Sequence, residues 1–554
     1  MLQNEDIDFP YLPPCMKCQP VIEHTNIQFH NQPIPPELQL FVNPEHQFGV
    51  FDIVIRGEIP VTKKHLHVFF SIDSSGSMKD ICLDGRTKIQ HILFTLENIL
   101  RIFHETPESS ISVHVQTFDA DINIIISDIN NIKEHDIETL VSKINQITPN
   151  NATNIELALR SAKQQIDIYK QKNIDHEVVH LFLTDGEITV GSDNDDLLKS
   201  IVHKDCTNIF IGYGLDHDSY LLSLLSSDTG NEYRFIDALE KAGLVYGEII
   251  HNILYKAIID VAINTSGCKI YDYKTNTWVT ELHIGNLVSE QKKTYHLRSR
   301  SPIKSVVSVV GKTIIKTRQF QVMTDNIEVQ SYNSFCSTIF KGDLTKYIFR
   351  QRTQELLYES RCVTNKKRAL NFHLPIIELD DQDEEIKQET KTKLKTKLKT
   401  FLNLMVDYVK KNNMDEDSIM KMLCDDIYIT YKTFDTSVAN MFTCSRQTSQ
   451  GRQQSYTATT INNQQAQQAQ QAQQAQQAQQ AQQAQQILED FDIDEMPPCP
   501  PPIGLRRQRL AYNFYDDDDD INYKFSQTYL SPYLSQGVIN TMREVTGDFT
   551  TQQL

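Results

Sequence analysis

Asp73, Ser75 and Ser77 alternate within Ile72-Asp73-Ser74-Ser75-Gly76-Ser77-Met78. One carboxylate and two hydroxyls at this spacing, directly after the apolar run His65–Ile72, set three oxygen donors around a tight turn. Gly76 lets that loop bend closely around an ion. Hard oxygen donors of this kind suit Mg²⁺, Mn²⁺ or Ca²⁺ and not a thiolate-seeking metal. Loops at the C-terminal ends of parallel strands are also where open α/β sheets place their ligands. A lone Asp-x-Ser-x-Ser is common by chance, so its weight depends on the elements around it.

Those elements alternate between strand-like and helix-like patterns. After His65–Ile72 comes a helical spacing over Thr87–Glu105, with Ile89, Ile92, Leu93, Leu96, Ile99 and Leu100 on one face. Ile111–Phe118 and Ile122–Ile126 read as strands joined by a short turn. Lys133–Ile147 and Asn154–Gln171 read as helices, and Val178–Leu183 as a central strand buried on both faces. Ile209–Tyr213 and Glu232–Ile236 are further strands, with helical patterns at Leu221–Leu225 and Ala238–Ile258. This alternation over 63–257 predicts an α/β fold, a Rossmann-like doubly wound and mostly parallel sheet.

The flanks read differently. Residues 1–45 are proline-rich without periodicity and are expected to be a disordered arm. Within 46–62, Phe48–Ile59 reads as a strand. Short alternating runs over 258–335 predict a small antiparallel β-sandwich, and the strand of 46–62 is expected to pair into it. The α/β domain would then be an insertion. Residues 336–430 read as helical; Leu394, Leu398, Phe401, Leu402, Met405 and Val409 share a face, leaving a solvated lysine edge. That helix is expected to pack on the sandwich and not on a membrane. Residues 431–522, with a Gln-Gln-Ala repeat at 464–486, read as a low-complexity, disordered linker with at most coiled-coil character. The moderately apolar tail 523–554 could dock as a short segment.

With these elements in place, the chain resembles the von Willebrand factor type A family. That family's metal-ion-dependent adhesion site reads Asp-x-Ser-x-Ser, then a distant Thr, then a distant Asp. The first element matches Asp73, Ser75 and Ser77, with the frequent Gly-Ser-Met continuation present. Ala152-Thr153-Asn154-Ile155 matches the Thr element at Thr153, and Leu183-Thr184-Asp185-Gly186 the Asp element at Asp185. The resemblance implies that Ser75 and Ser77 bind the metal directly. Thr153 would bind it directly or through water, and Asp73 and Asp185 mostly through water. It further implies that a partner's Asp or Glu carboxylate completes the coordination, and that in many members this is coupled to a shift of the last helix. The flanking layout over about 48–425 is similar to that of inter-alpha-trypsin inhibitor heavy chains, by arrangement and not by motif.

Composition narrows the function classes. A net charge of −18 argues against a nucleic-acid binder or an anionic-membrane binder. No apolar run reaches the roughly 18 residues of a membrane span. The start of the chain lacks a secretory pattern, and ten dispersed cysteines suit free thiols. The expectation is a soluble cytoplasmic protein. Cys15-x-x-Cys18 lacks a second metal-ligand pair, and His65, His67 and His180 read as structural. Asp516–Asp520 reads as a solvated spacer. No nucleophile–base motif, Walker loop or dinucleotide fingerprint occurs, so no enzyme is expected. The favoured reading is a metal-dependent protein–protein interaction module that binds an acidic side chain through Mg²⁺. The alternative is a structural or assembly protein with a vestigial site.

Overall fold

The computed structural model describes residues 22–30, 34–39, 44–55, 65–82, 84–106, 110–150, 152–214, 217–228, 230–236, 242–315, 318–323, 327–328, 343–364, 384–436, 438–455 and 531–546. Two strands come first, β1 (Ile22–Phe29) and β2 (Gln47–Ile55). A six-stranded sheet follows in spatial order β5-β4-β3-β6-β7-β8. It comprises β3 (His65–Asp73), β4 (Ser110–Phe118), β5 (Ile122–Ile129), β6 (Glu177–Thr184), β7 (Thr207–Tyr213) and β8 (Glu232–Ile236). All pairings are parallel except β4 with β5, which the short turn after Phe118 forces to be antiparallel.

Side-chain alternation along β3 decides what each face of this sheet meets. Leu66, Val68, Phe70 and Ile72 enter a core shared with α2 (Lys88–Glu105) and α7 (Ala242–Leu254). On the opposite face, Phe69 packs with Ala162 and Ile166 of α4 (Ile155–Lys172). The polar residues of that second face pair with one another under α4. Ser71 Oγ shares a hydrogen bond with His180 Nε2 (2.9 Å), and Gln116 Nε2 donates to Ser71 Oγ (2.9 Å). Satisfied buried polar groups of this kind fix a single register for the strands. His67 stacks on the Tyr169 ring, and burial lowers His67 to about 3 and His180 to about 4. Both are structural, neutral imidazoles.

Two antiparallel sheets form the sandwich: β1-β2-β13-β10-β11, and β12-β9-β14-β15 with β16 paired to β14. Their strands are β9 (Lys256–Ser266), β10 (Lys269–Asp272), β11 (Thr277–Val279), β12 (Glu281–Val288), β13 (Lys292–Ser299), β14 (Val306–Ile315), β15 (Arg318–Met323) and β16 (Ile327–Glu328). Because β2 pairs with β13 along its whole length, the six-stranded domain is inserted between two strands of one sheet. The sandwich interior joins Phe51 and Ile53 to Val261, Ile263, Val307 and Val309.

Beyond it lie α8 (Thr345–Thr364), α9 (Glu384–Lys411), α10 (Ser418–Thr433) and α11 (Ala439–Arg452). The shorter helices are α1 (Pro36–Gln39), α3 (Ile137–Ile144), α5 (Asp195–Ile201) and α6 (Ser219–Leu225), and α12 (Gln536–Thr546) closes the described chain.

Three sequence expectations need correction. Part of the arm at 1–45 is strand β1, which pairs antiparallel with β2. Ile27 and Phe29 alternate with polar residues and are buried, a short period-2 signal masked by neighbouring prolines. The linker at 431–522 begins with α11, whose buried Gln447 and Gln450 donate to Tyr273 O (3.0 Å) and Asp426 Oδ2 (2.6 Å). The apolar core residues of α11, Met441, Phe442 and Cys444, occupy only its first half, and the rest packs through polar side chains that carry no apolar periodicity. The lysine-edged helix α9 packs its Leu394–Leu398–Phe401–Met405 stripe on α8 and α10 and not on the sandwich. The Gln-Gln-Ala repeat, Asp516–Asp520, Cys15 and Cys18 lie outside the described residues.

From the tail, α12 docks on α7 and α2, with Val538, Met542 and Val545 buried. Gly243 and Gly247 of α7 make that approach possible, because a β-carbon on Gly247 would overlap the Met542 backbone. Among the described residues no helix is long and apolar enough to cross a membrane.

Candidate metal centre

The loop after β3 is held from both sides. Ser74 N donates to Phe118 O (2.9 Å) at the end of β4, Asn150 N donates to Ser74 O (2.6 Å), and Met78 is buried in the core below. These anchors turn Gly76–Lys79 into a single 3-10 turn. Asp73 is fully buried; its carboxylate accepts from Ser75 N (2.8 Å) and from Thr184 Oγ1 (2.6 Å). Ser75 Oγ and Ser77 Oγ share a hydrogen bond (3.0 Å), and Ser77 Oγ donates to Asp185 Oδ1 (2.6 Å). Four of the five expected residues are therefore linked by hydrogen bonds across β3 and β6, the Asp73 step running through the Ser75 backbone N–H.

Thr153 arrives from the loop before α4. Asn154 N donates to Asp119 O (2.9 Å), Thr153 N donates to Thr189 Oγ1 (2.7 Å), and Thr189 N returns a bond to Thr153 O (3.1 Å). The next residue, Asn154, caps α4 by accepting from Leu157 N. A β-carbon on Gly186 would stand 3.6 Å from Thr153 Oγ1 and 3.9 Å from Ser77 Oγ. Both hydroxyls thus face the small space beside Gly186, and a side chain at 186 would intrude on it.

Two residues in this arrangement escaped sequence reasoning. Thr184 orients Asp73, and its signal was present, since it directly precedes Asp185. Lys88 had no signal. From the first turn of α2 its ammonium hydrogen-bonds Asp185 Oδ2 and lies 3.5 Å from Asp80 Oδ2. Burial, reinforced by the charge of Asp185, raises the Asp73 carboxyl to about 7, against the pull of its hydrogen bonds from Thr184 and Ser75. Two buried carboxylates with convergent hydroxyls invite a cation. Among the described residues no group of three or more His, Cys, Asp or Glu side chains forms a metal cluster, so a cation here would depend on the hydroxyls. An all-oxygen set of this composition fits a hard divalent ion.

A family model for the von Willebrand factor type A domain matches residues 67–245. Residues 67–245 are a von Willebrand factor type A domain. Domains of this family are protein-interaction modules, and they commonly bind a metal ion at the adhesion site. Among curated proteins, none matches the chain.

Solved structures with a similar fold include a von Willebrand factor type A protein from Catenulispora acidiphila. It is 13% identical, with a TM-score of 0.46, over 74% of this chain and 90% of that one. The ArnB paralog VWA2 from Sulfolobus acidocaldarius is 11% identical, with a TM-score of 0.39, over 77% and 98%. Proximal thread matrix protein 1 from the mussel byssus, with a zinc-occupied adhesion motif, is 17% identical, with a TM-score of 0.28, over 36% and 47%.

Proposed function

We propose that this type A domain is a metal-dependent protein-interaction module. In this reading Asp73, Ser75, Ser77, Thr153 and Asp185 hold one divalent cation, Mg²⁺ in preference to Mn²⁺ or Ca²⁺, and a partner's Asp or Glu side chain completes its coordination. The observation that carries the reading is the run Asp73–Ser75–Ser77–Asp185, in which Ser75 donates its backbone N–H to the buried Asp73 carboxylate, the two serine hydroxyls are hydrogen-bonded to each other and on to the buried Asp185, and Thr153 faces them.

The bound cation would supply Lewis acidity toward the incoming carboxylate. The protein's own groups set how strongly. Thr184 and the Ser75 backbone hold Asp73 in one orientation, so it braces the loop. Lys88 neutralises part of the Asp185 charge, which leaves the centre with fewer effective negative charges than its carboxylates imply. A centre of low negative charge retains a weakly screened, electrophilic cation, suited to capturing an anionic partner and not to sequestering the metal. We propose binding without catalysis.

Thermal unfolding of the full chain with Mg²⁺ or with EDTA tests this. Mg²⁺ is expected to raise the midpoint of the wild type and leave Asp73→Ala unmoved. An acidic peptide is expected to bind only when Mg²⁺ is present. No Mg²⁺ stabilisation of the wild type, or the same stabilisation in D73A, removes the reading.

A further inference from the structure

At the opposite end of the sheet from Asp73, the first residues of β7 and β8, the second half of α7, the sandwich and the α8/α11 pair enclose a cavity of about 100 Å³. Its charged groups are unbalanced. Glu232 and Asp272 are the acids of its lining, against Lys256, Lys274, Lys293, Arg350 and Arg452, and Glu232 is already paired with Arg234 (3.1 Å) and Arg452 (3.2 Å). Of these cations, Lys293 comes from β13. It is only 8% exposed, and the acids whose charge reaches it, Glu232 and Glu248, are both already engaged by Arg234. Burial depresses it to about 8, despite the favourable charge of Glu232.

Further orphaned groups line this cavity. Arg452 Nε is a buried donor without a partner, while Asn252 Oδ1, Gln291 Oε1 and Gln454 Oε1 are buried acceptors without one. Folded proteins seldom leave several such groups in one place, because each costs the full desolvation of a polar atom. A surplus buried ammonium costs more still, and water offers it no compensating charge. The donors ask for an anion, and the acceptors ask that the same molecule carry hydroxyl hydrogens.

We propose that this cavity binds a small hydroxylated oxyanion, with protonated inorganic phosphate as its simplest form. Lys293 and Arg452 Nε donate to the anionic oxygens, and Asn252, Gln291 and Gln454 accept from the hydroxyls. The volume admits a handful of non-hydrogen atoms, enough for phosphate or a short hydroxy acid and too little for a nucleotide. Since the lining comes from the type A domain, the sandwich and the helical region, the bound anion ties three parts of the chain together.

Calorimetric titration of the full chain with inorganic phosphate, sulfate and malate tests this. Phosphate or malate is expected to bind saturably, and sulfate, which lacks hydroxyl hydrogens near neutral pH, more weakly. Lys293→Met is expected to weaken the better ligand roughly tenfold or more, because it loses a charge-assisted hydrogen bond. Its midpoint without anion should match or exceed that of the wild type, since the variant no longer buries a surplus charge. Asn252→Asp places a carboxylate in the cavity and serves as the deciding variant if K293M fails to fold; it too should bind the anion roughly tenfold or more weakly. No saturable binding of phosphate or malate overturns the proposal. So does unchanged affinity in K293M or, failing its folding, in N252D, or sulfate binding as tightly as phosphate.

Discussion

At the C-terminal ends of β3 and β6 the protein gathers two carboxylates beneath a set of hydroxyls. At the N-terminal ends of β7 and β8 it gathers Lys293, Arg234 and Arg452 around two glutamates. The first centre is made by three loops of a single domain, each tied to the next by backbone hydrogen bonds. The second is made where the type A domain, the sandwich and α11 meet, from residues more than 200 positions apart. A parallel sheet presents two chemically distinct ends, and here they carry opposite charge. The acidic end is a site a short motif can encode, whereas the basic end exists only after the lobes have docked.

Removing one carboxylate from each end should give the largest contrast. Glu248 is 1% exposed, paired with Arg234 and hydrogen-bonded by Ser455 (Oγ, 2.5 Å). Glu248→Ala leaves Arg234 with Glu232 alone and Ser455 without its acceptor, and is expected to cost about 3–5 kcal/mol in urea unfolding. Asp73→Asn, measured in EDTA at pH 8, should leave stability equal or higher, because burial and Asp185 already disfavour its charge. Comparable losses in the two variants would dissolve the distinction.

The imidazole beneath the acidic end should show itself next. The unfolded chain protonates histidine below about 6.5, but folded His180 resists until about 4. Its contribution is therefore intact above about pH 6.5 and is lost as pH falls through that window, by on the order of 3 kcal/mol in all. His180→Gln should flatten the pH profile of the unfolding midpoint relative to the wild type. Parallel profiles would show that His180 is not held neutral.

Helix α7 runs between the two ends, and α12 is seated along it. Gly247→Val drives a branched side chain into the Met542 backbone and should destabilise by about 1–3 kcal/mol through overpacking. Deleting residues 531–554 should abolish that penalty; a penalty that persists in the shortened chain would place the clash elsewhere. The smallest expected effect is at Lys88. Lys88→Met frees Asp185 of its tethered ammonium and should strengthen Mg²⁺ binding roughly tenfold. Weaker Mg²⁺ binding in K88M would instead make Lys88 a support of the loop.

Much of this was legible from local pattern. Asp73, Ser75 and Ser77 are neighbours in the chain, and Thr153 and Asp185 each sit at the boundary of a strand or helix that periodicity locates within a few residues. Hydrophobic alternation likewise located β2 and the sandwich region over 258–335, although the first residues of β9 fell within the helical reading of Ala238–Ile258, and the lysine edge of α9 followed from its apolar stripe. What escaped was whatever depends on long-range polar contact. Helix α11 buries Gln447 and Gln450 against Tyr273 and Asp426, and its few apolar core residues, Met441, Phe442 and Cys444, are confined to its first half and set no helical stripe along it. Lys88 looks like any helix-start lysine until Asp185 is placed beside it.

The sequence by itself determined the alternation of strands and helices over 63–257, the insertion of that domain between two strands of another, and which oxygen-bearing residues are candidates for the centre. All of these follow from short-range periodicity and from residue types at fixed spacing. Only the tertiary structure decided that Lys88 shares Asp185, that α12 lies on α7, and that Lys293 is enclosed between the domains. The reason is electrostatic and steric: the field at a buried charge is set by groups brought near through folding, and no one-dimensional spacing records which groups those are.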